Sequence, residues 1–172
     1  MTSDESGPDA LAASIRALTP GERQLELAVR LVNKASRALH YIADVRTTRY
    51  DPTTRTLTIS LSDEGREVIP LAVGQLPTFR HVDPGSETEI HLTVPDRIVK
   101  LSPGAPPGEL AFDIQPLAEA QEVIVEVAWA DVPFYEDTRA SAQQDTRLPA
   151  VRWQQHKARA VKRQDKKRPS KR

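Results

Sequence analysis

An antiparallel β-sandwich of about seven short strands, with Ig-like topology among its expected forms, is the fold that this sequence predicts. Three observations carry that prediction. Between Leu39 and Trp129, apolar residues recur at every second position in short runs. Pro, Gly and Asp divide those runs at regular intervals, and no helix-length crossover lies between them. A period of two puts one face of each strand on a core and the other in water, and short connections favour antiparallel neighbours. A Greek-key barrel is the competing closure. No repeat of about 20–50 residues occurs, which excludes solenoids and propellers.

The elements follow in order. Residues 1–8 are polar and acidic and read as a disordered leader. Residues 9–37 are expected to be helical. Leu11, Ile15 and Leu18 stand at helical spacing, and Thr19-Pro20-Gly21-Glu22 has the form of a capped helix start. From there to about Ser36, Arg23, Glu26, Arg30, Asn33 and Arg37 form a polar stripe opposite Leu25, Ala28, Val29 and Val32.

Residues 38–130 are the expected β-sandwich domain. Leu39, Tyr41, Ala43 and Val45 alternate with polar neighbours, and Asp51-Pro52-Thr53-Thr54 is a turn. Leu57, Ile59 and Leu61 make a half-buried strand. Ile69, Leu71 and Val73 make another, with Pro70 marking it as an edge. An irregular stretch from Gly74 ends at the Asp83-Pro84-Gly85 turn. Strands are then expected at Ile90–Val94, Ile98–Leu101, Leu110–Ile114 and Val123–Trp129. Residues 131–172 read as a linker and a basic tail, with helix formers over 151–164 and disorder over 165–172.

Composition excludes several classes of chemistry. There is no cysteine, which removes disulfides, thiolate nucleophiles and Cys-ligated metal. No basic and apolar leader opens the chain, and no apolar run reaches the roughly 20 residues a membrane helix needs. A cytoplasmic location is the expectation.

The common catalytic signatures are missing. His91 shares a strand face with Glu87 and Glu89, and His40 shares one with Asp44, but neither has a metal-ligand spacing such as H-E-x-x-H. His81 and Asp83 could do acid–base work in the loop, yet no G-x-S-x-G nucleophile accompanies them. Ser102-Pro103-Gly104-Ala105-Pro106-Pro107-Gly108 cannot cradle phosphate, because its prolines remove backbone donors. Trp129 ends an apolar face and reads as core. No catalytic residue, metal ligand or cofactor site is expected.

The formal net charge is zero, yet its distribution is uneven. Arg152, Lys157, Arg159, Lys162, Arg163, Lys166, Lys167, Arg168, Lys171 and Arg172 face the single acid Asp165 after residue 150. A flexible arm of that kind binds polyanions by neutralising phosphates and releasing counterions. These ten residues are the candidate contact for nucleic acid, another polyanion or an acidic protein. The expected function is a non-catalytic interaction or adaptor module. The alternatives are a subunit of a larger assembly docked through the amphipathic helix, and an enzyme with a site built from loops.

Overall fold

The computed structural model describes residues 7–62, 78–131 and 156–164. Inward-facing Leu25, Leu27, Val29 and Leu31 alternate with Glu26, Ala28 and Arg30 along a ten-residue strand, and the same period organises most of the chain. The strands are β1 (Leu11–Pro20), β2 (Gln24–Asn33), β3 (Leu39–Ile42), β4 (Thr47–Asp51), β5 (Thr56–Leu61) and β6 (Phe79–Val82). They continue with β7 (Glu87–Pro95), β8 (Arg97–Leu101), β9 (Phe112–Pro116), β10 (Glu122–Ala130) and β11 (His156–Arg163). A 3-10 turn, Leu117–Glu119, precedes β10.

The protein is thus mainly β, in several antiparallel sheets, an arrangement consistent with a β-sandwich. One sheet has the order β1-β2-β7. The second has the order β4-β5-β10-β3-β6, with β11 on the other edge of β10. Trp129 pairs with Tyr41 on one side and His156 on the other, so β5 and β3 share one edge of β10 in succession. The β5–β10 pairing is parallel, and the other ladders are antiparallel. A third, two-stranded sheet, β8-β9, forms an arm between β7 and β10.

The inner faces of the two larger sheets supply a single core. Leu27, Val29 and Leu31 come from β2, Leu92 and Val94 from β7, and Leu57, Ile59 and Leu61 from β5. Val123, Val125, Val127 and Trp129 come from β10. Registers agree with this: Val123, Val125 and Val127 stand directly opposite Leu57, Ile59 and Leu61. Each fully buried aliphatic side chain contributes about 1.5–3 kcal/mol, so these facing rows dominate the stability of the body.

The helical expectation for residues 9–37 is overturned, because those residues form the β1–β2 hairpin. The cause is specific. Partners run from Leu11↔Asn33 to Ile15↔Val29, then jump to Ala17↔Ala28, which leaves Arg16 as the extra residue of a β-bulge. The bulge shifts the phase by one, so Leu11, Ala13 and Ile15 face inward before it and Leu18 after it. Spacings of four and three thereby arise from a broken period of two. Thr19-Pro20-Gly21-Glu22 leads into the hairpin connection, where the Gly21 N–H donates to the Gln24 carbonyl at 2.7 Å. With no amphipathic helix there, assembly through such a helix loses its docking element.

Asn33 ends the inward row of β2 and is buried. Its Nδ2 donates to the carbonyls of Arg37, Val82 and Asp83 at 2.7, 2.9 and 3.1 Å, and its Oδ1 accepts from the Ala35 N–H at 2.8 Å. A polar group in a core must be satisfied in this way. It ties the loop after β2 to the end of β6, a strand that lies inside the stretch read as irregular. The turn at Asp83-Pro84-Gly85 forms as expected, with Gly85 at a positive φ of 64°. The strand expected at 69–73 lies outside the described residues.

The basic segment is corrected in the same way. Residues 156–163 are neither helix nor free tail but β11, paired with β10 from Glu122↔Arg163 to Trp129↔His156. Ala158 and Ala160 are buried against the core, and β1 lies alongside. Of the residues read as disordered (1–8 and 165–172), 1–6 and 165–172 lie outside the described residues. Gly7 and Pro8 instead belong to a turn in which the Gly7 carbonyl accepts from the Ala10 N–H at 3.0 Å.

Candidate interaction surfaces

The ten candidate polyanion contacts divide into two groups. Lys157, Arg159, Lys162 and Arg163 lie on β11; Arg152, Lys166, Lys167, Arg168, Lys171 and Arg172 lie outside the described residues. On β11 the alternation turns Lys157, Arg159, Val161 and Arg163 to solvent, while Lys162 stands on the inner side opposite Val123. Two of the outward cations meet acids on the neighbouring strand. Arg163 Nε is 3.4 Å from a Glu122 carboxylate oxygen, and Arg159 stands directly opposite Glu126. Cross-strand opposite charges of this kind favour the pairing and lower the local positive potential. In β11, part of the basic stretch is therefore neutralised by the body of the protein.

The histidines do not converge. His91 Nε2 lies 3.3 Å from Glu89, while Glu87 is ion-paired to Arg30 instead. His81 is 3.5 Å from Asp83, with both side chains well exposed. His40 and His81 face each other across β3 and β6, ring centroids 5.9 Å apart, and burial together with the His81 charge holds the His40 pKa below its ordinary value. Among the described residues no three His, Asp or Glu side chains are grouped so as to hold a metal. An open depression on the outer face of the first sheet is lined by Arg16, Arg30, Glu87, Thr88 and Glu89, without either His81 or His91. Its two arginines and two glutamates balance in charge.

Trp129 is buried, as its place at the end of an apolar row predicts. Its ring stacks on His156, and its Nε1 has no hydrogen-bond partner among the described residues. Phe134 and Tyr135, which follow Trp129 in the sequence, lie outside the described residues.

The strongest departure from the sequence reading is the β8–β9 arm. Leu110, Phe112 and Ile114 alternate like a half-buried strand, yet they are 78%, 56% and 60% exposed. Val99 and Leu101 on β8 are 54% and 63% exposed. Val99 pairs with Ile114 and Leu101 with Phe112, so these four side chains share one face of the ribbon, and Leu110, two residues before β9, has the same parity and is exposed. The other face meets the body at the base of the arm through partly buried Ile98, opposite Gln115. There the Leu117 N–H donates to the Asp96 carbonyl at 2.8 Å. Arg97 grips the Asp96 carboxylate with two hydrogen bonds of 2.9 Å, which holds that carboxyl below its usual pKa. Alternation in the sequence identifies the apolar face; it carries no sign of whether another layer covers it.

No known family model matches the chain, and no curated protein matches it. Among solved structures it is similar to a β-glucosidase from Kluyveromyces marxianus in complex with glucose, at 9% identity and a TM-score of 0.31. That match covers 69% of this chain and spans 12% of the other chain. A likeness that slight carries no argument about activity.

Proposed function

We propose that the protein is a non-catalytic interaction module whose body holds out the β8–β9 arm as a contact surface for another macromolecule. The basic residues from Arg152 onward add a contact to a polyanion or an acidic partner. The observation that carries this reading is the uncharged outer face of the arm, built from Val99, Leu101, Leu110, Phe112 and Ile114. A two-stranded ribbon is marginal alone in water, and an apolar patch of several hundred Å² on a soluble surface usually marks a binding site. An interface core depleted in charge and rich in large apolar groups has the same composition.

Strand order supports the finer, Ig-like reading of the body. In that fold A, B and E lie side by side in one sheet and C, F and G in the other. Here β1, β2 and β7 have the first order, and β3, β10 and β11 the second. The β4–β5 and β8–β9 hairpins are then additions to the fold, and the second of them is the arm. A cysteine-free chain fits a reducing, cytoplasmic setting.

The test is affinity capture with the native chain and with Leu101→Glu/Phe112→Glu, followed by identification of what each retains. Partners lost with the double variant support the reading; an identical set on both removes the arm from the function.

A further inference from the structure

We infer that a second copy of this chain covers the arm, the two β8–β9 faces stacking about a two-fold axis. The inference rests on the arm's being a contact surface, and it names the occupant.

The chemistry of the face selects that occupant. Val99, Leu101, Leu110, Phe112 and Ile114 carry no charge and no side-chain hydrogen-bonding group. A nucleic acid or an acidic peptide laid there would lose hydration from its charges and meet only Arg97, at the base and already paired with Asp96. The partner surface must itself be apolar and of similar extent. Among the described residues, the other large apolar side chain exposed to a similar degree is Val161, which stands alone on β11. Among those residues, the matching surface is the arm of another copy.

Area and charge agree with the pairing. At these exposures the five side chains present about 500 Å² of apolar surface, the upper range for the largest patch on a monomer. Two such faces together bury about 1,000 Å², the threshold for a specific interface. A two-fold axis brings the same patch against itself, as an isologous contact requires. It brings no like charges together in the middle of the interface. Arg97, at the base, is already paired with Asp96, and Lys100 stands opposite Asp113 on the other face of the ribbon. The stacked ribbons would give each hairpin the second layer that it lacks.

The test is sedimentation of the full chain from micromolar to submillimolar concentration, beside the Leu101→Glu/Phe112→Glu variant. The expected result is a concentration-dependent dimer whose association weakens by about 100-fold or more in the variant, since two central apolar contacts per copy are replaced by charge. Circular dichroism and the melting curve of the dilute monomer should be unchanged, because both side chains face solvent there. Should the double variant misfold, cysteine cross-linking decides in its place. The native chain has no cysteine, so Leu101→Cys should form an intermolecular disulfide on oxidation, and Lys100→Cys, on the opposite face, should not.

Other outcomes overturn the inference. A monomer that binds a hydrophobic dye, with binding lost in the double variant, removes the second copy and leaves the arm as an open contact surface. A monomer without dye binding overturns that reading too, because the face is then covered within its own chain. A dimer insensitive to both sets of variants places the interface elsewhere.

Discussion

The indole of Trp129 stacks on the imidazole of His156, ring centroids 4.6 Å apart and planes 29° from parallel. The contact joins the end of the central strand β10 to the start of β11, and it makes the first half of the basic segment a structural element. Ala158 and Ala160 continue the buried side from there, and Arg163 closes the far end on Glu122.

Ending the chain at Pro149 is therefore expected to destabilise the body. It removes β11, uncovers the β10 edge and exposes the inner row of Val123, Val125 and Val127. The expected loss is about 3 kcal/mol or more, a large share of the roughly 5–15 kcal/mol that holds a domain together. Urea unfolding of the two chains measures it. Equal midpoints would mean that β11 contributes nothing to the fold.

How far this was legible depends on the element. Strands β5, β7 and β10 were readable because their alternation is unbroken and their turns carry Asp, Pro and Gly. β1 was not, because the bulge at Arg16 places Leu11, Ile15 and Leu18 at helical intervals. β2 resembles a helix because Arg23, Glu26, Arg30 and Asn33 recur at helical spacing, although Asn33 ends the inward row and apolar Ala28 and Val32 share the outer side with Glu26 and Arg30. β11 has alanines at its inward positions, and alanine favours helices as readily as it fills a tight sheet contact. The exposed face of the arm has the same alternation as the core strands, and the covering layer is a property of topology alone.

The facing rows of β5 and β10 predict a sharp contrast between neighbours. Val125→Asp would place an unpaired carboxylate between Ile59 and Ala160 in the core and should unfold the body. Thr58→Asp points outward, opposite Arg49 on β4, and should change stability by no more than about 0.5 kcal/mol. Melting temperatures of the two variants test the assignment of faces, and a folded Val125→Asp protein would reverse it.

Trp129 offers a test of packing against polarity. Its Nε1 is buried without a partner among the described residues, a state that costs about 1–3 kcal/mol. Trp129→Phe removes that donor along with some ring area, so the net loss should be small, about 1 kcal/mol or less. Trp129→Ala also removes the stacking on His156 and leaves a cavity, for about 3–5 kcal/mol. Similar losses for both variants would show that the indole nitrogen is satisfied in solution.

His40 should make the body weaker in mild acid. Burial, with a smaller contribution from His81, holds its folded pKa below the unfolded value of 6.5. A group depressed in this way favours the fold in its neutral form. Its contribution is present above the unfolded pKa and is lost as pH falls from there through the lowered folded value. The native chain should therefore lose melting temperature across that window, and His40→Gln should lose less. Parallel curves for the two proteins would assign the acid sensitivity to other groups.

The basic residues predict a division of labour in any polyanion binding. Arg159 and Arg163 stand opposite Glu126 and Glu122, so their charges are partly spent within the sheet. Lys166, Lys167, Arg168, Lys171 and Arg172 follow β11 in sequence with only Asp165 beside them. If those five reach phosphates, affinity for duplex DNA should fall with salt at a log–log slope of about −4 to −5, with little sequence preference. A chain ending at Gln164 keeps the whole of β11 and should lose that binding. Substituting Arg159 and Arg163 by Gln in the full chain should change it far less. Fluorescence titration at several salt concentrations separates the two. Binding that survives the truncation but falls with the β11 substitutions would move the contact onto the sheet, and no binding at low salt would remove polyanions as partners.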